Sequence, residues 1–264
     1  MTLRRRLLRI YHYPAYYASW LVFLAVGLAL NLACAPFLLA RHRARFGGTT
    51  RFAIRRLFRA WCAWLHATRL VYVEFRGFTP GALAGPAVYI ANHPGLLDAT
   101  FLLAQLPDTI CIFKPALIRN PAIGPAALMA GYASGDHGVD LIRDVAERVA
   151  DGRSLLVFPE GTRTVAGSDL NEFRPGFAVI AQRAGVPVRP ILVRAPRDLL
   201  PKRWPWWRAP SFPAHVEIAL LDALAISADE PAAALTARAA RQFSAALARD
   251  DAAVGHPPRP DPEL

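Results

Sequence analysis

Val88-Tyr89-Ile90-Ala91-Asn92-His93-Pro94-Gly95-Leu96-Leu97-Asp98 carries a strand, a turn and a helix start in one short run. Val88-Tyr89-Ile90 is an apolar segment of strand length, and Pro94-Gly95 is a turn signal. Along an unbroken α-helix, five residues rotate the chain by ~500°, which would leave His93 and Asp98 roughly 140° apart. The Pro94-Gly95 turn removes that obstacle. His93 then sits in the turn and a helix begins near Leu96, so the Asp98 carboxylate in its first turn can reach back to one imidazole nitrogen. Such a pair fixes the tautomer and leaves the second nitrogen free to accept a proton. A base of this kind contributes on the order of 10²–10⁴-fold to a rate. The competing reading makes Asp98 a helix cap and His93 a polar loop residue. Spacing does not choose between them, because His256 and Asp261 in the Pro-rich tail repeat it.

Outward from this run the chain alternates strand-like and helix-like segments. Ile110-Cys111-Ile112-Phe113, Leu155-Leu156-Val157-Phe158, Val188 to Val193 and Val216 to Leu220 are further apolar runs, with Val88 to Ile90 the first strand of the set. Val139, Ile142, Val145, Ala146 and Val149 mark an amphipathic helix, and Phe177 to Ala184 another. The pattern predicts an α/β domain with a mixed, largely parallel sheet flanked by helices, over residues 70–225. Ser227 and Glu230 resemble a capping box for a C-terminal helix over 226–250, followed by a disordered tail over 251–264. The second informative block, Phe158-Pro159-Glu160-Gly161-Thr162-Arg163, also follows a strand. Gly161 permits a tight turn, while Thr162 and Arg163 offer donors to a phosphate or carboxylate. The bland alternative is a surface loop with a solvated arginine.

The net charge of +11 belongs to the N-terminal region. Twelve arginines and no acidic residue precede Glu74, so the rest of the chain is close to neutral. That region is also the most apolar part of the chain, which argues against a nucleic-acid partner. Ala15 to Ala40 holds no charged residue and, as a helix, is long enough for a ~30 Å hydrocarbon core. No small-residue cleavage site is evident for a signal peptide. Arginines at both ends (Arg4, Arg5, Arg6, Arg9; Arg41, Arg43, Arg45) leave orientation undecided, and a spanning, re-entrant, surface-lying or buried helix all remain open. Gly47-Gly48-Thr49-Thr50 reads as a helix start with a threonine cap. The helix it opens carries Ile54, Leu57, Phe58, Trp61, Trp64 and Leu65 on one face and Arg51, Arg55 and Arg59 on another. It suits an anionic membrane surface or a helix packed on the domain with a solvated arginine face. Residues 1–69 are therefore expected to attach the chain to a membrane. Trp204-Pro205-Trp206-Trp207 after Lys202-Arg203 fits either a loop at lipid headgroups or packing under a long loop. Cys34, Cys62 and Cys111 show no metal or disulfide spacing and fit a reducing cytosolic face.

Together the two blocks resemble the lysophospholipid acyltransferase family, which includes the 1-acylglycerol-3-phosphate acyltransferases. Its signature is Asn-His-x4-Asp followed by Phe-Pro-Glu-Gly-Thr-Arg, matched at Asn92 to Asp98 and Phe158 to Arg163. Lys114 with Asn120-Pro121-Ala122-Ile123-Gly124 is similar to a third family segment. Gly185-Val186-Pro187-Val188-Arg189-Pro190, preceded by Phe173-Arg174-Pro175-Gly176, is similar to a fourth.

The resemblance implies that His93, oriented by Asp98, deprotonates a lysolipid hydroxyl that attacks an acyl thioester of coenzyme A or acyl carrier protein. It implies no covalent acyl-enzyme, in keeping with the lack of a Gly-x-Ser-x-Gly elbow. Glu160, Gly161, Thr162 and Arg163, with Lys114, would bind the acceptor's polar head; no metal and no cofactor beyond the acyl donor is implied. The expected partners are a membrane lipid surface, the lysolipid and the acyl donor, at the cytoplasmic face of the inner membrane. The leading acceptor is 1-acyl-glycerol-3-phosphate. Two departures bear on it: Gly95 stands where the family often has serine, and Tyr132 to His137 lacks an arginine many members carry, with Asp136 set to repel a phosphate. A lyso-ornithine or specialised lipid acceptor, or an idle lipid-binding relative, are the alternatives.

Overall fold

The computed structural model describes residues 3–40, 43–120, 123–135, 138–165, 167–227 and 229–254. Two helices lead the chain, α1 (Leu3–Cys34) and α2 (Gly47–Ala67). The sheet domain follows in the order β1 (Val71–Arg76), β2 (Val88–Ala91), α3 (Asp98–Gln105), β3 (Thr109–Phe113), α4 (Pro115–Ile118), α5 (Gly124–Met129), β4 (Ala133–Ser134), α6 (Gly138–Ala150), β5 (Ser154–Val157), α7 (Gly176–Ala184), β6 (Val188–Arg194), β7 (Ala214–Leu220) and α8 (Ala232–Val254).

The seven strands form one sheet in the order β1-β7-β6-β2-β5-β3-β4, parallel at every pair except β6 with β7. This is the mixed, largely parallel sheet that the alternating pattern predicts. α2 and α3 pack together on one side, and α6, α7 and α8 on the other. Strands covered on both faces must be apolar throughout. All four residues of β2 are buried, and Leu155 and Leu156 beside it are fully so. Phe101 and Leu102 close one face of this core, and Phe177, Ile180 and Phe243 the other.

The structure departs from the sequence expectations at several places. β1 precedes Val88, so the strand before Asn92 is the second, not the first. Its run Val-Tyr-Val-Glu-Phe-Arg alternates as an edge strand should, and Arg76 pairs with Glu74 and Glu217 at the rim. No threonine caps α2: Thr50 donates its hydroxyl back to the Phe46 carbonyl at 2.9 Å. Nor is the arginine stripe of α2 solvated throughout. Arg51 is buried, pairs with Asp108 at 2.6 Å and donates to the Ala130 carbonyl, while Arg55 donates to the Gln105 carbonyl. These contacts fasten α2 to the sheet domain. α8 begins after Pro231 without a Ser227–Glu230 box, because the Glu230 carboxylate is taken by Arg238 at 2.8 Å. It runs to Val254, past the position where the tail was expected to begin. His256, Asp261, Arg41, His42, Pro121, Ala122, Asp136 and His137 lie outside the described residues.

α1 is the one described helix long and apolar enough to cross a membrane. One stripe of it is buried against the rest of the chain: Tyr16, Ser19, Trp20, Asn31 and Cys34. Trp20 packs on Trp61 and Trp206, and the Asn31 carboxamide oxygen accepts the Ala126 N–H at 2.9 Å. The opposite stripe, including Leu21 (70% exposed), Leu24, Leu28 and Leu32, is left exposed by the described residues.

Candidate active site

In the parallel part of the sheet, β2, β5 and β3 lie side by side, and their carboxyl ends open onto the same edge. That edge is where open α/β sheets place ligands. His93 leaves β2, Glu160 to Arg163 leave β5, and Lys114 leaves β3. Asn92 prepares this geometry. It is buried, its Nδ2 donates to the Val193 carbonyl at 2.8 Å, and its Oδ1 accepts the Val193 N–H at 2.7 Å. The side chain thus extends the β2–β6 ladder by one step and fixes where the chain leaves the sheet.

The turn then bends as its sequence requires. α3 starts at Asp98, two residues later than expected, and no side chain caps it. Instead the Asp98 carboxylate points backwards: Oδ2 accepts the Gly95 N–H at 2.8 Å and contacts His93 Nδ1 at 2.8 Å. Asp98 is therefore not a simple helix cap. A carboxylate this deeply buried accepts from Nδ1–H, which leaves the Nε2 lone pair of His93 free. The imidazole stacks on the Phe158 ring at 4.1 Å and keeps 18% of its side chain exposed. Burial pushes the Asp98 carboxyl above its ordinary value of 3.8, against the opposing pull of His93, the Gly95 N–H and Arg163.

Gly95 is a requirement of this packing. A Cβ there would lie 2.8 Å from the Leu199 carbonyl oxygen and 3.3 Å from Asp98 Oδ1. The absence of serine at this position thus follows from the close approach of the 199–201 segment, whose Leu200 carbonyl also accepts the Leu96 N–H at 3.1 Å.

The second block divides into supporting and open residues. Glu160 does not face solvent. It is 3% exposed, and its carboxylate accepts the His93 N–H, the Asn171 N–H and the Thr164 hydroxyl at 2.8–3.0 Å. Burial raises its pKa, and those three donors oppose the rise. Sequence placed Glu160 among residues contacting the acceptor; its side chain instead ties the two loops together. Gly161 takes a positive φ of 66°, which glycine adopts freely, and the Arg174 guanidinium lies against it. Thr162 is half-buried, and its hydroxyl has no partner among the described residues. Arg163 Nη1 donates to the Leu200 and Pro201 carbonyls at 3.0 and 2.9 Å, so part of its donor fork is spent on the chain itself. Lys114 is exposed at the end of the neighbouring β3 and bonds to none of these residues. Arg174, for which sequence gave no role, enters through its approach to Gly161, a contact that no local pattern encodes.

Among the described residues no cluster of three His, Cys, Asp or Glu side chains could hold a metal ion. Cys111 is buried, and burial pushes its thiol up to about 12.

Comparison with known proteins places this arrangement. The acyltransferase family model matches residues 72–194. The lyso-ornithine lipid O-acyltransferase of Pseudomonas aeruginosa is 33% identical over 66% of this chain and 67% of its own length. The chain belongs to the lysophospholipid acyltransferase family. The 1-acyl-sn-glycerol-3-phosphate acyltransferase alpha of Mus musculus is 30% identical over 72% of this chain and 64% of its own. A chloroplastic 1-acyl-sn-glycerol-3-phosphate acyltransferase of Brassica napus is 35% identical over 44% of this chain, and the match spans only 35% of that protein. The crystal structure of the 1-acyl-sn-glycerophosphate acyltransferase of Thermotoga maritima superposes with a TM-score of 0.67, covering 94% of this chain and 97% of that one. At 21% identity that likeness concerns the fold. In this chain the family's two signature blocks are the two loops that Glu160 joins.

Proposed function

We propose that this acyltransferase moves an acyl chain from a thioester of coenzyme A or acyl carrier protein to a hydroxyl of a lysolipid, with 1-acyl-glycerol-3-phosphate the leading acceptor. The observation that carries the reading is the His93–Asp98 pair, with Nδ1 held at 2.8 Å and Nε2 open. Nε2 takes the proton of the acceptor hydroxyl as its oxygen attacks the thioester carbonyl. The tetrahedral intermediate collapses by breaking the C–S bond, and the imidazolium returns the proton to the departing thiolate. The carboxylate of Asp98 stabilises the imidazolium between those steps. Thr162 and the unspent nitrogens of Arg163, with Lys114 from the next strand, supply the donors for the acceptor's polar head. Glu160 acts through His93 and Thr164.

The uncovered apolar stripe of α1 supports attachment to a lipid surface. Because α1 is held at both Trp20 and Asn31, it lies along the domain, which favours a helix in the membrane plane over one that crosses it. The active site would then open at the cytoplasmic face of the inner membrane.

A second acceptor is favoured by one comparison: the Pseudomonas aeruginosa relative, whose own match is the most even in coverage of the three described, acylates lyso-ornithine lipid by its name. The deciding experiment offers the purified chain lysophosphatidic acid, lyso-ornithine lipid and lysophosphatidylethanolamine with acyl-CoA and acyl-acyl carrier protein, read by lipid mass spectrometry. His93→Ala should remove product from whichever pair is used. Undiminished product from that variant would sink the mechanism.

A further inference from the structure

α1 and the loop between β6 and β7 line an open cleft of about 470 Å³. Small-molecule sites commonly run to ~300–1,000 Å³. Three features of its lining go beyond what the fold needs. His12 is 4% exposed, packs its ring on Phe212 and makes no hydrogen bond to any described residue. The Arg208 guanidinium is held over the Trp204 ring at 4.1 Å and pairs with no described carboxylate. Asp198 lines the same cleft, its carboxylate accepting only the Ser211 N–H at 2.8 Å among the described residues. A cation and an anion thus share one cleft without neutralising each other. A buried imidazole beside them makes no hydrogen bond to a described residue.

Tyr13 and Tyr17 of α1 complete the wall, and the Tyr17 hydroxyl donates to the Trp207 carbonyl at 2.9 Å. Trp206 and Trp207 stand exposed nearby, at 42% and 61%. Tyrosine and tryptophan beside an uncovered apolar helix mark the level at which lipid headgroups lie.

We propose that this cleft binds the zwitterionic headgroup of a membrane lipid, its phosphate on Arg208 and His12 and its ammonium on Asp198. A purely anionic head would satisfy Arg208 but face Asp198 unpaired. A head carrying both charges matches both. The assignment rests on the reading that α1 lies at a lipid surface and is independent of which acceptor is acylated. The cleft also has a route to the chemistry. Asp198 is followed by Leu199, whose carbonyl crowds Gly95, and by Leu200, whose carbonyl holds both Leu96 N–H and Arg163.

The test titrates the full chain in detergent with dihexanoylphosphatidylethanolamine below its own micelle concentration, following tryptophan fluorescence. Dihexanoylphosphatidic acid and free phosphoethanolamine serve as comparison ligands, separating a lipid headgroup site from one for any soluble zwitterion. The expected order is phosphatidylethanolamine tightest. Arg208→Ala should weaken it about tenfold or more, as for a lost hydrogen bond to a charged group, and Arg208→Lys should restore part of the loss. Asp198→Asn keeps an acceptor for Ser211 and should weaken phosphatidylethanolamine while leaving phosphatidic acid unchanged. Equal binding by wild type and both variants, or equal affinity for the two lipids, would overturn the proposal. So would tighter binding of free phosphoethanolamine, or loss of binding in His93→Ala, which would put the lipid in the catalytic site. Acyl transfer by the wild type is assayed in parallel, so that failure of the proposed function is read separately.

Discussion

Glu160 holds His93 by its backbone. Oε1 accepts the His93 N–H at 2.8 Å, and from the same loop the Thr164 N–H donates to the His93 carbonyl at 2.7 Å. The peptide groups on both sides of His93 are thereby fixed by the loop that carries the second signature block, with Glu160 67 residues away. The block does two jobs: its buried carboxylate positions His93, and its outer residues face the open edge.

That division predicts how Glu160 variants behave. Glu160→Ala leaves the His93 and Asn171 N–H groups without partners, each worth roughly 1–3 kcal/mol when buried and unsatisfied. Steady-state kinetics should then show kcat falling by tenfold or more with a small change in the acceptor KM, together with a lowered Tm. Glu160→Gln keeps one acceptor oxygen and should recover part of kcat. A raised acceptor KM at unchanged kcat would instead make Glu160 a headgroup ligand.

Gly95 carries a second prediction. Gly95→Ala places a methyl 2.8 Å from the Leu199 carbonyl oxygen, a backbone atom that cannot swing aside. Overpacking of this kind typically costs about 1–3 kcal/mol. Because the displaced peptide also binds Asp98 Oδ2, activity should drop more than stability alone explains. Gly95→Ser should do the same, even though serine is common at this position in the family. Wild-type kcat in Gly95→Ser with an unchanged melting temperature would contradict the packing argument.

These examples mark the line between what sequence discloses and what it withholds. The strand–turn–helix at Val88 to Asp98 is local, so its period and its Pro-Gly turn announce it, and Phe158 to Arg163 follows a strand just as plainly. That both leave strands of one largely parallel sheet follows from the α/β pattern; that β2 and β5 are neighbours in it does not. What stayed hidden depends on partners far along the chain. Glu160 reads as one more polar residue until its carboxylate is seen under His93. Arg51 reads as a solvated charge until Asp108 and the Ala130 carbonyl enclose it. Arg163 reads as free until Leu200 and Pro201 claim one of its nitrogens. β1 escaped for a different reason, since an edge strand with Glu74 and Arg76 in its run lacks the continuous apolar signature of β2.

The two buried carboxyls give the chain opposed pH responses. Burial raises the pKa of both Asp98 and Glu160 above 3.8 and 4.5. Between the unfolded and folded pKa values the folded state binds more protons, so their contribution to stability is present below the unfolded values and is lost as pH rises through the folded ones. Activity moves the other way, because the His93 imidazolium needs Asp98 ionised. The acid limb of kcat should therefore lie above the ordinary carboxyl range, while this part of Tm declines over the same interval. Asp98→Asn should flatten its share of the decline in thermal melts and abolish most turnover. A melting profile that rises through that window in wild type and is unchanged in Asp98→Asn would refute the assignment.

The two faces of α1 make separable predictions. Trp20 is 9% exposed and packs on Trp61, Trp206 and Phe23, so Trp20→Ala should cost about 3–5 kcal/mol, as large aromatic truncations in a core do. Leu21 and Leu32 sit on the uncovered stripe at 70% and 65% exposure. Replacing both with aspartate removes little internal contact and should change the unfolding free energy in detergent by no more than about 0.5 kcal/mol per substitution. It should nevertheless abolish co-sedimentation with phosphatidylglycerol–phosphatidylethanolamine vesicles, because a charge carried into the acyl region is expensive. Transfer to a short-chain, water-soluble lysolipid should persist in the double variant, since His93 and its partners are untouched. Vesicle binding that survives Leu21→Asp with Leu32→Asp would mean that the stripe meets something other than lipid, and the in-plane placement of α1 would fall with it.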